Sequence, residues 1–239
     1  MAERLGEHPI ATLAGRLVAV PLGALARWRR GKPMHPRGVL FEAVLERHGS
    51  PSPWGAPWLD GVAVEPATAR LSRGAGLPSA LPDLLGLAVC IPGGPVAVHL
   101  LLSSTGRGRV TRLLPLLRRD SACIYSSIMA YRSDAGCLRI AAFPEVSGVP
   151  SDPGPLARDV ARRTLRFTLA AARGTGPWQA FGRLSLTEPE QPLDADVRFD
   201  AVLHPPPGLV PDGPMACFRA PAYATARAAR ADAACQSGA

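Results

Sequence analysis

The sequence predicts a mainly β protein, α+β by content, in which eight antiparallel strands form a barrel with helical insertions and a C-terminal helix. Two observations support this. First, 26 prolines and 24 glycines divide the 239 residues into short apolar runs, a pattern typical of strands joined by turns. Second, several runs alternate apolar and polar side chains, so that one face of each strand is buried. Eight such strands can close into a barrel that holds side chains or one small ligand.

The first four predicted strands occupy 38–47, 62–72, 84–91 and 95–102. The first shows the alternation most clearly, because Val39, Phe41, Ala43 and Leu45 are separated by wetter positions such as Glu42 and Glu46. The other three are short runs rich in Val, Leu and Ala that end at Gly, Pro or Ser.

The last four predicted strands occupy 138–143, 165–173, 178–187 and 197–203. Gly174 to Pro177 are turn formers, so the sixth and seventh strands are expected to form a hairpin. Between the strands, leucines at helical spacing predict helical insertions in 108–120 and 155–163.

Three regions follow along the chain. Residues 1–32 are expected to form a helical docking segment, 33–205 the barrel, and 206–239 the C-terminal helical region, whose helix at 219–234 has Pro221 in its first turn. The apolar run 9–26 is interrupted by Arg16 and Pro21, which argues against a transmembrane segment. The basic cluster at 27–30 follows this run, whereas in a secretory signal the basic residues come first. Docking within the protein or contact with a membrane surface both remain open for this segment.

The charge and the cysteines restrict the function classes. The net charge of +8 comes almost entirely from dispersed arginines, and no nucleic-acid motif accompanies them, so no nucleic-acid partner is predicted. Arginine suits bidentate pairing with a carboxylate or phosphate, which favours an anionic small ligand. Five cysteines without a CxxC pair indicate a reduced, cytoplasmic location.

Five residues could carry chemistry on their positions alone. His35 precedes the first strand, where a histidine could project into a barrel mouth or lie on an exposed loop. Arg70 and Ser72 lie two apart and share one strand face; if that face is interior, the arginine requires an anion, although strands often end in outward arginines. Arg219 and Tyr223 are four residues apart, so on a helix they would share one face and the arginine would favour the phenolate form of the tyrosine. The alternative is a basic helix whose arginines are simply exposed to solvent.

These residues together resemble haem-dependent catalases. MetHisProArgGly at 34–38 is similar to the segment that carries the family's distal histidine, and AlaArgLeuSerArg at 69–73 is similar to its VRFST stretch. The segment 82–89 resembles the family's RDPRGFAVKF strand, and 98–105 corresponds to DLVGNNTP. The spacing of Arg219 and Tyr223 is that of the proximal tyrosine and its arginine.

The resemblance implies haem as cofactor and a small peroxide as substrate. Tyr223 would ligate the iron with Arg219 holding it ionised, while Lys32, Arg70 and Arg230 would meet the propionates. His35 would move the peroxide proton as general acid and base, with Ser72 fixing its tautomer.

Two departures from the family pattern weaken the case for catalase turnover. Ser103 or Ser104 stands where the family has a distal asparagine, and the run ATARA replaces the proximal DTHRH. Haem binding, with weak activity on hydrogen or organic peroxides, is therefore the expected function. A barrel that binds another apolar anionic ligand is the first alternative, and a phosphodiesterase-type hydrolase, which lacks a metal cluster or GxSxG motif, is the second.

Overall fold

A computed structural model describes residues 37–93, 96–193, 197 and 199–217. These residues include eleven strands, two α-helices and one turn of 3-10 helix, and residues 213–217 at the end of the described part are also helical. The strands are β1 (Arg37–His48), β2 (Val62–Arg73), β3 (Asp83–Ile91), β4 (Val98–Ser104), β5 (Leu117–Arg118), β6 (Tyr125–Ser126), β7 (Ala130–Ser133), β8 (Gly136–Pro144), β9 (Leu165–Arg173), β10 (Gln179–Pro189) and β11 (Val210–Asp212). The helices are α1 (Pro57–Asp60), the 3-10 turn (Thr111–Leu113) and α2 (Pro153–Arg162).

Eight of these strands close into an antiparallel barrel, as the sequence predicts. Their order around the ring is β1, β2, β3, β4, β6, β8, β9 and β10, and β10 pairs with β1 to complete the closure. The β7 strand pairs with the first residues of β8 and with β11, and β5 pairs with β3. Closure places each of the eight strands between two neighbours.

Apolar side chains fill the barrel interior. Alternate residues of β1, from Val39 to Leu45, point into one core with Leu184 of the neighbouring strand β10 and Phe167 of β9. The β2 strand contributes Leu71 to the same core. The interior is therefore a packed core, and the other face of β1 is wetter apart from Leu40, which is fully buried.

The predicted eighth strand at 197–203 is wrong. Residues 201–203 form a turn, because the Asp200 carboxylate accepts the backbone N–H groups of Val202 and Leu203, both at 3.1 Å. Such a side chain offers the backbone an alternative to strand pairing. The two-residue strand β6 takes the eighth place in the barrel instead.

The two predicted insertions have different outcomes. The helix α2 confirms the prediction for 155–163 and buries Leu156 and Val160 against β10 and β1. The prediction for 108–120 is wrong: this segment contains the 3-10 turn and β5 and no α-helix, since Pro115 has no N–H with which to continue a helix. The predicted hairpin at 174–177 is confirmed by the register that pairs Ala171 with Gln179.

The ends of the chain lie largely outside the described residues. The docking segment 1–32 belongs there, as do residues 219–234 of the predicted C-terminal helix. Within 206–217, β11 pairs with β7 and residues 213–217 are helical. No helix among the described residues is long and apolar enough to cross a bilayer.

Candidate functional site

Arg70 and Ser72 share one face of β2, as their spacing predicts, and that face is the outside of the barrel. Leu71, between them, points into the core and is 1% exposed. Both polar side chains are nevertheless buried, Arg70 at 5% exposure and Ser72 at 9%. Arg70 does not face the barrel interior, so the sequence-based argument for an anion inside the barrel does not apply. Arg70 is instead a buried cationic side chain on the outer wall of the barrel.

Glycine at position 38 makes room for the Arg70 side chain. Gly38 pairs with Ser72 across β1 and β2, and a Cβ built on it would lie 2.7 Å from Cζ and Nη2 of Arg70. It would also lie 2.8 Å from the carbonyl oxygen of Leu71. A larger residue at 38 would thus displace the guanidinium from its position over β1.

Small residues continue this surface across β3 and β4. Ser72 lies opposite Gly86 and donates a hydrogen bond of 3.4 Å to its carbonyl oxygen, and Gly86 in turn lies opposite Ser103. One step along, Arg70 lies opposite Ala88. We call this surface the outer face of β1–β4. Its members are Gly38, Leu40, Arg70, Ser72, Gly86, Ala88, Leu101 and Ser103, because Leu40 lies opposite Arg70 and Leu101 lies opposite Ala88. A surface of small and apolar residues is suited to an apolar ligand, and Arg70 supplies charge for an anionic group.

The choice that the sequence leaves open between Ser103 and Ser104 is resolved by the strand register. Ser103 shares the outer face with Ser72, because both lie directly opposite Gly86. Ser104 points the other way and is fully buried, where its Oγ accepts the N–H of Leu85 at 3.0 Å and donates to the Leu116 carbonyl at 2.7 Å. Ser104 is therefore a structural residue.

A buried ion pair that the sequence does not reveal holds the turn after β2. Arg73 and Asp83 are both fully buried, with Nε and Oδ2 3.6 Å apart. The Asp83 carboxylate also accepts three backbone N–H groups at 2.7 to 2.9 Å. Arg73 donates to the Ser151 hydroxyl at 2.6 Å and to the Leu81 carbonyl at 2.8 Å. The pair fixes the point at which the chain leaves β2, directly after Ser72 and Arg73. The sequence does not reveal it, because the two residues lie ten positions apart on different strands.

A histidine pair lies further along the barrel wall. His99 on β4 is 8% exposed, and its ring centroid lies 4.8 Å from that of His204. Burial, and then the neighbouring His204, lower the pKa of His99 below its ordinary value of 6.5. The backbone N–H of Asp200 donates to Nδ1 of His99 at 2.9 Å, which requires that nitrogen to be unprotonated.

The other predicted site residues, namely Lys32, His35, Arg219, Tyr223 and Arg230, lie outside the described residues. Their roles stay predictions. Among residues 37–93, 96–193, 197 and 199–217, no group of three or more His, Cys, Asp or Glu side chains could hold a metal ion.

Two surface cavities lie away from the outer face of β1–β4. One of about 560 Å³ is lined by residues that include Trp58, Ile91 and His204. A smaller one of about 180 Å³ is lined by Ile128, Arg139 and others. Neither lining includes Arg70 or Ser72.

The barrel has the fold of catalases. Catalase A from Saccharomyces cerevisiae superposes with a TM-score of 0.62 at 11% identity, over 88% of this chain and 63% of that one. A bacterial catalase gives 0.61 at 12% identity, over 88% and 60% of the two chains. A fungal catalase gives 0.62 at 12% identity, over 88% and 61%.

These likenesses establish a catalase-like fold. The chain spans less than two thirds of the length of each of these three catalases. No protein-family model matches the sequence. No curated protein matches it in a sequence comparison.

Proposed function

We propose that this chain is a catalase-like barrel that binds haem against the outer face of β1–β4. The observation that carries the proposal is the pair Arg70 and Ser72 among small and apolar residues on the outer face of β1–β4. That pair stands at the positions that the resemblance assigns to a propionate partner and to the residue behind the distal histidine. The charge of Arg70 and the small residues beside it suit an apolar anionic group.

Each residue of the proposed site has a distinct task. Arg70 pairs its guanidinium with a carboxylate of the ligand, in a charge-assisted contact strengthened by low exposure. Gly38 keeps that guanidinium flat against β1. Lys32 and Arg230 are the further propionate partners in this proposal.

Haem, when bound, would supply an iron centre able to activate peroxide, with Tyr223 as its protein ligand. Arg219 favours the phenolate form of Tyr223 through its positive charge. His35 takes a proton from one peroxide oxygen at an imidazole nitrogen and delivers it to the other oxygen. Ser72 holds His35 in the tautomer that this transfer needs.

Ser103 limits the activity that we propose. A serine hydroxyl is shorter than an asparagine amide and has one donor hydrogen where the amide has two. It therefore orients a small peroxide less firmly. We propose weak turnover of hydrogen or organic peroxides as the activity of this site.

Reconstitution with haemin tests the proposal. The full chain is titrated with haemin, and a Soret band is expected that shifts in Tyr223→Phe. Arg70→Gln should weaken haemin binding roughly tenfold or more, from the loss of one charge-assisted contact. Arg166→Gln, at an exposed arginine on β9, is the matched control and should bind as the parent does.

The outcomes separate the functions. Absence of a Soret band after reconstitution contradicts the haem proposal. If a long-chain carboxylate then binds and requires Arg70, the site takes a different apolar anion. If His35→Ala keeps both its haem content and its rate of oxygen release from hydrogen peroxide, His35 has no catalytic role.

A further inference from the structure

A protruding segment between β4 and β6 combines arginines with exposed aliphatic side chains. We call residues 105–119 the arginine loop. It contains five arginines and no acidic residue. The arginines are Arg107, Arg109, Arg112, Arg118 and Arg119.

Hydrogen bonds tie the base of the arginine loop closed. The N–H of Leu116 donates to the Ser104 carbonyl at 2.8 Å, and the Ser104 hydroxyl donates to the Leu116 carbonyl at 2.7 Å. Nη2 of Arg118 donates to the carbonyl of Thr105 at 3.4 Å. The residues between these points form a compact loop whose two ends lie together.

The tip of the loop is held in one shape. Gly106 donates its N–H to the Thr111 carbonyl at 3.0 Å, and a Cβ on Gly106 would collide with the Thr111 side chain. Arg112 is 3% exposed and stacks on Trp178, with Cζ 4.3 Å from the ring centroid. Nε of Arg112 also donates to the Gly108 carbonyl at 3.2 Å. The exposed side chains of the loop are thus presented by an ordered backbone.

Three aliphatic side chains of the arginine loop are exposed to solvent. Val110 is 67% exposed, Leu114 50% and Leu117 59%. They lie within seven residues of each other, hence within about 25 Å even if the chain were extended. Single exposed aliphatic residues are ordinary, but a group of them on a tied loop marks an interaction surface.

Exposed arginines lie along the same loop as these aliphatic side chains. Arg107, Arg109 and Arg119 are exposed. Burial, followed by the charges of Arg139 and Arg109, lowers the pKa of Arg112, so cations are crowded here. An anionic partner would relieve this repulsion.

We propose that the arginine loop docks the protein on the surface of a bilayer that contains anionic lipids. Arg109 and Arg119 would meet lipid phosphates, while Leu114 and Leu117 would enter the boundary between headgroups and acyl chains. Nucleic acid would use the same arginines but would gain little from exposed leucines, because it offers no apolar layer to receive them. This inference does not rest on haem binding.

Sedimentation with vesicles tests the docking of the full chain. The protein should sediment with vesicles of equal parts phosphatidylcholine and phosphatidylglycerol, and should stay in solution with pure phosphatidylcholine. The double variant Arg109→Gln/Arg119→Gln should lower the partition coefficient by roughly twentyfold. Its matched control is Arg158→Gln/Arg162→Gln, which removes two exposed arginines from α2 and should bind as the parent does.

A second pair of variants tests the contribution of the exposed leucines to vesicle binding. Leu114→Ser/Leu117→Ser should weaken binding roughly tenfold. Its control is Val62→Ser/Val64→Ser, at positions 79% and 71% exposed on β2, which should leave binding unchanged. Circular dichroism and thermal unfolding verify that each variant is folded.

Three results would overturn the proposal. Sedimentation with both vesicle types alike would show that charge does not select the partner. Undiminished vesicle binding by both loop variants would place the lipid contact elsewhere, for example in residues 1–32. Binding to duplex DNA that needs Arg109 and Arg119, without any vesicle binding, would assign the loop to nucleic acid.

Discussion

The two faces of β2 differ in what burial does for the protein. On the inner face, Ala69 and Leu71 are buried among other apolar side chains and stabilise the fold by packing. On the outer face, Arg70 and Ser72 are buried almost as deeply but carry charge and hydrogen-bonding capacity. The inner face therefore explains why the barrel forms, and the outer face is where its chemistry can lie.

The barrel core, into which the inner face of β2 points, should show the largest effect on stability when one of its side chains is truncated. Phe167 is fully buried and packs edge-on against Tyr125 with ring centroids 5.8 Å apart. Phe167→Ala should lower the free energy of unfolding by about 4 kcal/mol, through lost burial and a residual cavity. Urea unfolding followed by circular dichroism measures this. A loss below about 1 kcal/mol would mean that the interior is not packed as described.

The buried pair Arg73 and Asp83 should come next. Arg73→Met removes the guanidinium and leaves a carboxylate that is fully buried, so a loss of about 3 kcal/mol in unfolding free energy is expected. Adding Asp83→Asn should recover part of that loss, since the uncompensated charge disappears. If the double variant is no more stable than Arg73→Met in the same urea titration, the charge pairing has no part in holding this turn.

The variant Gly38→Ala tests how closely the Arg70 side chain approaches β1. Gly38→Ala places a methyl group 2.7 Å from the Arg70 guanidinium, so stability should fall by about 1–3 kcal/mol and haemin binding should weaken. The matched control is Gly154→Ala in α2, where the nearest atom would lie 3.7 Å away. Because Gly154 precedes Pro155, a methyl group there is mildly disfavoured in the helix, so this change should cost less stability than Gly38→Ala and leave haemin binding unchanged. Equal behaviour of the two variants in thermal unfolding and haemin titration would contradict the close approach of Arg70 to β1.

The smallest expected effect is the pH dependence of the free energy of unfolding that comes from His99. Because the pKa of His99 is lowered in the folded state, its neutral form contributes stability that is fully present above the ordinary value of 6.5. That contribution is lost as the pH falls from 6.5 through the lowered pKa. Unfolding free energy measured across this range should fall more in the parent than in His99→Gln. Identical pH profiles for the two proteins would show that His99 is not the group responsible.

The sequence predicts those parts of the fold that depend on local pattern. Alternation and short apolar runs bounded by turn residues together locate seven of the barrel strands, and the spacing of Arg70 and Ser72 places them on a common face. It does not locate β6, because two residues carry no period. It also misplaces the eighth strand at 197–203, since the hydrogen bonds of Asp200 compete with strand pairing.

The candidate site is predictable only in part, because its geometry depends on register between strands. Ser103 is distinguished from Ser104 only by the pairing of β3 with β4, which no single segment contains. The contact between Gly38 and Arg70 likewise depends on the register of β1 with β2. His35 and Tyr223 lie outside the described residues, so their place in the site stays a prediction.

Substitutions at the neighbouring positions 70 and 71 test the central claim most directly, because the two side chains lie on opposite faces of one strand. Haemin titration and urea unfolding are measured on Arg70→Gln and Leu71→Ala. We expect Arg70→Gln to weaken haemin binding roughly tenfold or more with little change in stability, and Leu71→Ala to lower stability by about 2–5 kcal/mol with haemin affinity retained. The account would be contradicted if Arg70→Gln bound haemin as the parent does, or if Leu71→Ala were the variant that lost affinity.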